Sequence, residues 1–304
     1  MERRDFVRLT LAAGAGLAAS PALVTGCASV PVSKGAQTID DLLHLGPRVM
    51  WVAAHPDDEA LVGAILARSS IVLGNPLYML ILTHGEGGEC CRPEGCKPDL
   101  ATVRAAEMKK VARLYRAELQ HERFFNAPLP VESFPPRHEI AKRWIAKQDP
   151  TSIVAAAIRK FRPDILFTFD PDNGFTGHPE HQLASRFVST GARLAFEGPV
   201  EKGGPQAHKI THVFYGLNRY WPFVLLGAAD PGPVTDEFDA TLPCVGGKTC
   251  RDVMGEISKC HRSQANDMGT VRSMKRWIDR IYLRRADPYH DQLDPLDPGF
   301  KPVS

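Results

Sequence analysis

Short apolar runs of strand length alternate with longer stretches of helical periodicity from about residue 48 onward. The first four of these segments are residues 49–54, 61–69, 77–83 and 101–119. The alternation continues over residues 121–126, 153–161, 164–169, 183–195 and 212–217. Continuous apolar strands separated by helices are typical of a parallel sheet that is covered on both faces. The pattern therefore predicts an α/β fold with a Rossmann-like open, mostly parallel sheet and helices on both faces.

Clusters of titratable residues follow three of the predicted strands. They occupy residues 55–59, 84–89 and 170–181, and each cluster begins directly after an apolar run. Ligands of open α/β sheets bind at the carboxyl ends of the strands, so we expect these clusters to form the functional site. No GxGxxG sequence follows the first strand, which argues against a dinucleotide cofactor.

The first 26 residues have the pattern of a removable export signal. Arg3 and Arg4 precede an apolar stretch over residues 9–24, an arrangement that resembles a twin-arginine signal. This stretch is too short and too rich in Gly and Ala for a stable membrane span. It closes on Val-Thr-Gly-Cys, which resembles a bacterial lipobox with acylation of Cys27. We expect an exported, membrane-anchored lipoprotein facing the periplasm or the cell exterior; the alternative is an ordinary signal peptide with a chance cysteine.

The rest of the chain divides into three predicted parts. Residues 27–46 begin with small and polar residues together with Pro and Gly, as expected of a tether between a lipid anchor and a folded domain. The main folded domain is predicted over residues 47–286. Residues 287–304 contain four prolines and four aspartates and are predicted to form an extended C-terminal tail.

Composition and charge narrow the class of protein. The chain has 304 residues, of which 43% are hydrophobic and 24% charged, which is typical of a soluble globular protein with one large domain. Its formal charge is only +2, from 37 basic and 35 acidic residues, so no strong field favours nucleic acid and no nucleic-acid partner is expected.

Six cysteines remain besides Cys27, and they allow up to three disulfides in an oxidising compartment. A zinc knuckle is the alternative, but Cys90-Cys91-x4-Cys96 is not a CxxC pair and no second pair with matching spacing follows it. The six are Cys90, Cys91, Cys96, Cys244, Cys250 and Cys260.

The first cluster, Ala-His-Pro-Asp-Asp-Glu over residues 54–59, has the residue types of a hydrolytic metal site. If a helix begins at about Pro56, His55 and Asp58 lie three residues apart and converge on one side, with Asp57 beside them. Two metal ligands and a free carboxylate suit a site in which zinc activates water and the carboxylate takes the proton. Acids at a helix N-terminus are the structural alternative, but they leave the position of His55 unexplained.

The second cluster contains Gly-His-Pro-Glu-His over residues 177–181 and offers a third ligand. His178 and His181 are three residues apart at a predicted helix start and therefore face the same way. Either histidine could complete a metal site with the first cluster, whereas alone such a pair is often structural.

The two clusters together resemble the LmbE-like, or PIG-L-like, deacetylases, zinc amidases that remove N-acetyl groups from amino sugars. Further similarity lies in Leu-Thr-His-Gly-Glu-Gly-Gly over residues 82–88, in Arg104-x-x-Glu107 and in Thr-Phe-Asp-Pro over residues 168–171. Cys-His-Arg-Ser-Gln over residues 260–264 is similar to the C-terminal His-x-Ser-Gln element of the family. The resemblance covers about residues 48–265 and implies the same α/β fold.

The resemblance also implies roles for individual residues. His55, Asp58 and His181 match the zinc ligands of the family, and Asp57 matches its general base. His178 matches a catalytic side chain that polarises the amide carbonyl or stabilises the oxyanion, which suits a protonated imidazole beside the metal.

Three other positions are implicated less directly. Arg104 and His261 resemble positions that contact the substrate, although an arginine on an amphipathic helix is often only a solvated face. Glu180 stands where the family usually has aspartate. If it orients a neighbouring histidine, the extra methylene alters that orientation; alternatively, it is a solvated acid in the first turn of a helix.

We therefore expect a zinc-dependent amidase acting on linear amides, which removes an N-acetyl group from an amino sugar or glycoconjugate outside the cytoplasm. Two alternatives remain open: an amidase acting on a non-sugar or thiol-conjugate amide, and a non-catalytic glycan-binding lipoprotein. Iron or cobalt would also suit two histidines and one aspartate. The expected partners are an N-acetylated sugar and, through the lipid anchor, the membrane.

Overall fold

A mixed seven-stranded sheet forms the centre of the described residues, in the order β3-β2-β1-β4-β5-β7-β6. The structure is a computed structural model that describes residues 37–220, 230–274 and 277–298. Strands β1 to β5 are parallel to one another, while β7 is antiparallel to both β5 and β6. The predicted α/β fold with a mostly parallel sheet is confirmed. The strands are β1 (Val49–Ala53), β2 (Leu77–Thr83), β3 (Ala117–Phe124), β4 (Ile165–Phe169), β5 (His212–Leu217), β6 (Asp236–Asp239) and β7 (Arg280–Ala286).

Helices cover both faces of this sheet. Short 3-10 turns at Asp58–Leu61, Ser258–Cys260 and Arg262–Gln264 lie near the carboxyl edge of the strands and matter for the site below. The α-helices of the described residues are α1 (Ile39–His44), α2 (Gly63–Leu66), α3 (Leu100–Leu114), α4 (Arg137–Lys147), α5 (Pro150–Phe161), α6 (Gly174–Gly177), α7 (Pro179–Glu197), α8 (Cys250–Ile257) and α9 (Ala265–Met274).

Each central strand buries side chains on both of its faces. Along β1, Val49 and Trp51 pack into the layer formed by α1, α2, α3 and α8, whereas Met50 and Val52 pack against α4, α5 and α7. Successive side chains of a strand point to opposite faces, so a strand covered twice must be apolar throughout. Burying such a side chain stabilises the fold by about 1.5–3 kcal/mol. This explains the continuous apolar runs in the sequence.

The boundary between the predicted helix 101–119 and the next strand is placed differently in the structure. The helix α3 ends at Leu114, and β3 already begins at Ala117. Arg116 has a positive φ of 55°, and this left-handed residue turns the chain from helix into strand within two positions.

The predicted tether over residues 27–46 is wrong for its last part. Thr38 and Asp41 form a reciprocal capping box at the start of α1, and Ile39, Leu42 and Leu43 of this helix are buried in the core. The folded domain therefore includes residues well before 47.

The described part of the predicted C-terminal tail forms turns and packs against the domain. Residues 287–298 contain no helix or strand. The Ser189 hydroxyl donates to the Asp291 carbonyl at 3.2 Å, and Arg186 Nη1 donates to the Asp294 carbonyl at 3.0 Å. The predicted domain end at residue 286 is therefore too early, because residues 287–298 cover α7.

The predicted export signal and the Cys27 lipidation site lie outside the described residues, so both stay predictions. Within the described ranges, none of the helices combines the length and the apolar character needed to span a bilayer.

One disulfide links Cys90 to Cys96, which closes the loop between β2 and α3. This bond leaves a zinc knuckle at residues 90–96 without two of its proposed ligands. The other described cysteines are free thiols: Cys91, Cys244, Cys250 and Cys260.

Candidate active site

The backbone between β1 and the next helical turn has an unusual conformation at Asp57. Instead of a helix beginning at Pro56, a 3-10 turn begins at Asp58, and Asp57 precedes it with a φ of 101°. A non-glycine residue in the left-handed region costs about 1–3 kcal/mol and requires support from its surroundings. The Asp57 N–H donates to Glu59 Oε2 at 3.1 Å, and Gln264 Nε2 donates to the Pro56 carbonyl at 2.8 Å. These bonds hold the turn in place.

The same turn brings the predicted ligands of the first cluster together. The His55 N–H donates to Asp58 Oδ2 at 2.7 Å. His55 Nδ1 lies 3.5 Å from that oxygen, so the ring and the carboxylate face the same point.

The second cluster lies at the start of α7 and directs one histidine to the same point. Its histidine His181 stacks on the Phe169 ring with centroids 4.3 Å apart, and its Nδ1 bonds the Gly174 carbonyl at 2.8 Å. His181 Nε2 is thereby directed to the ends of β1 and β4, where it lies 3.0 Å from His55 Nδ1 and 3.0 Å from Asp58 Oδ1.

Hydrogen bonds to the outer nitrogens fix how His55 and His181 present their lone pairs. His55 Nε2 bonds Glu180 Oε2 at 2.6 Å, and His181 Nδ1 bonds a carbonyl, so in neutral rings these nitrogens carry the protons. His55 Nδ1, His181 Nε2 and the Asp58 carboxylate are then three electron-pair donors aimed at one point. Such a set repels itself without a cation, and its nitrogen and oxygen donors suit zinc. The site therefore fits a metal ion.

The pKa shifts of His55 and Asp58 also indicate that the site favours a positive charge. Burial lowers the pKa of His55, but the carboxylates of Asp58 and Glu180 outweigh burial and raise it to about 10. Burial also opposes ionisation of Asp58, yet the imidazoles of His181 and His55 hold the pKa of that carboxyl far below its usual range.

His178 lies beside these donors and caps α7. Its Nδ1 accepts a hydrogen bond from the Glu180 N–H at 3.2 Å, so the proton of the neutral ring is on Nε2. This bond does not suit the protonated imidazole expected from the sequence. Donor nitrogens of His55, His178 and His181 lie within 4.8 Å of one another, so a three-histidine set is also available beside the set that contains Asp58.

Glu180 is not a solvated acid of the first helical turn, because it has no exposed surface. Besides its bond to His55, it accepts from Asn126 Nδ2 at 2.8 Å and from the Ala127 N–H at 2.6 Å. Neither Asn126 nor Ala127 was predicted from the sequence. Their position directly after β3, at the same edge of the sheet, was the available signal.

We expect Glu180→Gln to weaken metal binding by about 10–100-fold, because it removes the negative charge that faces the His55 Nε2 proton. Glu197→Gln, at the exposed far end of α7, is the matched control. Metal content after dialysis against a graded chelator measures the effect. Equal metal retention by the two variants would contradict this role.

Asp57 carries the free carboxylate of the site. Burial raises the pKa of Asp57 to about 7, with a further contribution from the neighbouring Asp58 charge. Gln264 Nε2 donates a short hydrogen bond to Asp57 Oδ2, which orients the group. A carboxyl with this pKa can both accept and return a proton near neutral pH.

His261 lies behind the turn that carries Asp57, and its predicted contact with substrate stays a prediction. Its side chain is fully buried, and its Nε2 bonds Glu59 Oε1 at 2.8 Å. Glu59 also accepts a hydrogen bond from the Asp57 N–H. His261 therefore helps to position Asp57 indirectly, through its bond to Glu59. Neither Glu59 nor Gln264 was assigned a role from the sequence.

Arg104 belongs to α3, but its side chain is buried against the loop between β2 and α3 and is not part of a solvated helix face. Gly85 has a φ of +69°, and a Cβ there would lie 2.5 Å from Arg104 Nη1. Arg104 Nη2 also donates to the Glu89 carbonyl at 3.3 Å. Burial raises the pKa of Asp57, and the charge of Arg104 offsets part of that rise.

Metal donors with a free carboxylate beside them, at the carboxyl edge of an open sheet, are the arrangement of a metal-dependent hydrolase. Residues 50–191 match the PIG-L family, described as GlcNAc-PI de-N-acetylase. A 1D-myo-inositol 2-acetamido-2-deoxy-alpha-D-glucopyranoside deacetylase of Thermobifida fusca is 33% identical over 207 residues, covering 62% of this chain and 69% of the relative. The chain therefore belongs to the PIG-L, or LmbE-like, deacetylase family, whose members are metal-dependent hydrolases of carbon–nitrogen amide bonds.

Solved structures of low sequence identity share the fold. N,N'-diacetylchitobiose deacetylase from Pyrococcus horikoshii aligns with a TM-score of 0.55 and 16% identity, covering 79% of this chain and 84% of that one. The 4-carboxy-2-hydroxymuconate hydratase of Pseudomonas putida aligns with a TM-score of 0.56 and 13% identity, covering 79% and 96%. Because one of the two is a hydratase, the fold alone does not fix the reaction.

Proposed function

We propose that this protein is a zinc-dependent hydrolase that removes the N-acetyl group from an N-acetylated amino sugar or glycoconjugate. The observation that carries the proposal is the convergence of His55 Nδ1, His181 Nε2 and the Asp58 carboxylate within 3.0–3.5 Å, with Asp57 free beside them. The name of the Thermobifida fusca relative, a deacetylase of an acetamido sugar, supports the choice of substrate class.

His55, Asp58 and His181 would hold the metal. Asp58 is preferred to His178 as the third ligand because its oxygens lie 3.0 and 3.5 Å from the two histidine nitrogens, and because it supplies a negative charge. When bound, zinc would lower the pKa of water and stabilise negative charge on the acyl oxygen.

Asp57 is the proposed general base. Its carboxylate takes a proton from the attacking water, and water oxygen forms a bond to the acetyl carbon. As the bond between that carbon and the sugar nitrogen breaks, Asp57 returns the proton to the leaving amine. The products are acetate and a free amino sugar. Gln264 and Glu59 keep Asp57 in the conformation that this transfer requires.

His178 is proposed to stabilise the oxyanion as a neutral Nε2–H donor. Its cap bond to the Glu180 N–H fixes the tautomer, and its ring stacks on His181 with centroids 4.9 Å apart. A donor that is already oriented stabilises developing charge without reorganisation.

Acetate release from a panel of N-acetylated sugars, assayed beside non-sugar and thiol-conjugate amides, tests the proposal. The expected result is release from the sugars that stops on chelation. Turnover restricted to non-sugar amides would support the other amidase. Glycan binding that is unaffected by chelation and by Asp57→Ala, without turnover of any substrate, would identify a glycan-binding lipoprotein instead.

The proposed location is outside the cytoplasm, with the protein anchored to the membrane through acylated Cys27. Support comes from the twin-arginine and lipobox patterns and from the Cys90–Cys96 disulfide, since disulfides persist in oxidising compartments.

In a bacterial host, the full chain should enter the membrane fraction and incorporate labelled fatty acid, and Cys27→Ala should do neither. Cys91→Ala is the matched control. A Cys27→Ala protein that stays membrane-bound and labelled would refute the anchor.

A further inference from the structure

A cavity separate from the metal donors lies between α3 and the disulfide-closed loop. Its volume is about 210 Å³. Four basic side chains line it: Arg92, Lys97, Lys110 and Arg262. The proposed reaction uses none of them.

The positive charge of this cavity is only partly balanced. Glu94 Oε1 accepts from Arg92 Nη2 at 2.7 Å and from Arg262 Nη2 at 3.1 Å. Within the part of the chain that the structure describes, neither Lys97 nor Lys110 forms an ion pair. Since the whole chain carries a net charge of only +2, the cluster is a local feature.

Glu107 is the one acidic residue in the lining of the cavity. Glu107 is buried and accepts from the Ser263 N–H at 3.0 Å and from the Ser263 hydroxyl at 2.6 Å. Its hydrogen bonds hold Ser263 in the wall of the cavity, and its single negative charge offsets only part of the charge of the four basic side chains.

One short turn of the chain connects the cavity to the base Asp57. Arg262 and Gln264 belong to one 3-10 turn, in which residues rise by about 2 Å each, or about 4 Å between these two. Arg262 lines the cavity, while Gln264 bonds Asp57. Through this turn, the cavity adjoins the residue that orients the base.

We propose that this cavity binds a carboxylate of the substrate, which makes the preferred substrate an acidic glycan with a carboxylate-bearing sugar next to the N-acetylated one. The inference rests on the proposed deacetylase function. Glu94 shows that a carboxylate fits between the two guanidinium groups, and its side chain is 48% exposed, so a ligand can displace it. Arginine pairs bind planar carboxylates through two oxygens, and the two lysines supply the remaining charge.

The test compares two disaccharides in which N-acetylglucosamine is linked either to glucuronic acid or to glucose. We expect kcat/KM to be about tenfold higher for the acidic one at low salt, as one charge-assisted contact provides. The ratio should fall towards one in Lys110→Gln and rise in Glu94→Gln, which removes the competing carboxylate. Lys109→Gln, on the same helix but outside the cavity, is the matched control and should keep the wild-type ratio.

Calorimetric binding of both disaccharides to the Asp57→Asn protein separates the two proposals, because it needs no turnover. Preferential binding of the acidic sugar that Lys110→Gln abolishes would support the cavity even if no acetate is released. The proposal would be overturned if the ratio of kcat/KM for the acidic and the neutral disaccharide were the same in Lys110→Gln as in Lys109→Gln. Binding of N-acetylglucosamine 1-phosphate as tight as that of the acidic disaccharide would overturn the assignment to a carboxylate. So would binding to phosphatidylglycerol vesicles that depends on Lys110, if the disaccharide ratio did not change.

Discussion

Replacing Asp57 with asparagine should lower kcat by about 10²–10⁴-fold, the usual contribution of a general base, and should leave metal content unchanged. Asparagine has the shape of aspartate and can still accept the Gln264 hydrogen bond, so the turn is expected to persist. It cannot accept a proton from water. Acetate release under saturating substrate, together with metal analysis of the same sample, measures both parts of the prediction.

Asp172→Asn is a suitable control for the loss of one aspartate, because Asp172 is 69% exposed and pairs with Arg186 away from the donors. It should retain wild-type kcat. If Asp57→Asn lost its metal, Asp57 would be a ligand rather than the base. If it kept its activity, another group would have to take the proton.

The central sheet was predictable because burial on two faces leaves an unambiguous apolar pattern. The antiparallel edge was not. Along β7 only Ile281 and Leu283 are buried in the core, and arginines at 280, 284 and 285 interrupt the apolar pattern. This strand is joined to β5 by contacts between distant segments, such as Val213 with Ala286. A sequence pattern read over a few residues cannot supply such a pairing.

The candidate site divides in the same way. His55 with Asp58, and His178 with His181, lie close in sequence, so spacing alone indicated that each pair would face one way. The support of Asp57 was not visible, because His261 meets Glu59 across 202 positions. The burial of Glu180 likewise depends on the chain that follows β3.

The choice between two possible ligand sets is decided by a pair of substitutions. Asp58→Asn should reduce metal affinity by more than about 100-fold, the upper end of the effect of a residue that only orients a ligand, because it removes the negative charge between two imidazoles. His178→Gln should keep the metal and lower kcat by about 10²–10³-fold, the usual loss of one oxyanion donor. Chelator competition and acetate release are measured on both variants.

His290→Gln controls for the loss of an imidazole, since His290 is 83% exposed and pairs with the neighbouring Asp287. The reverse pattern, with metal lost in His178→Gln and kept in Asp58→Asn, would establish a three-histidine site. In that case the Asp58 carboxylate, rather than His178, would be left to interact with the reacting groups. Because a carboxylate repels an oxyanion, the stabilisation of the acyl oxygen would then have to come from the metal alone.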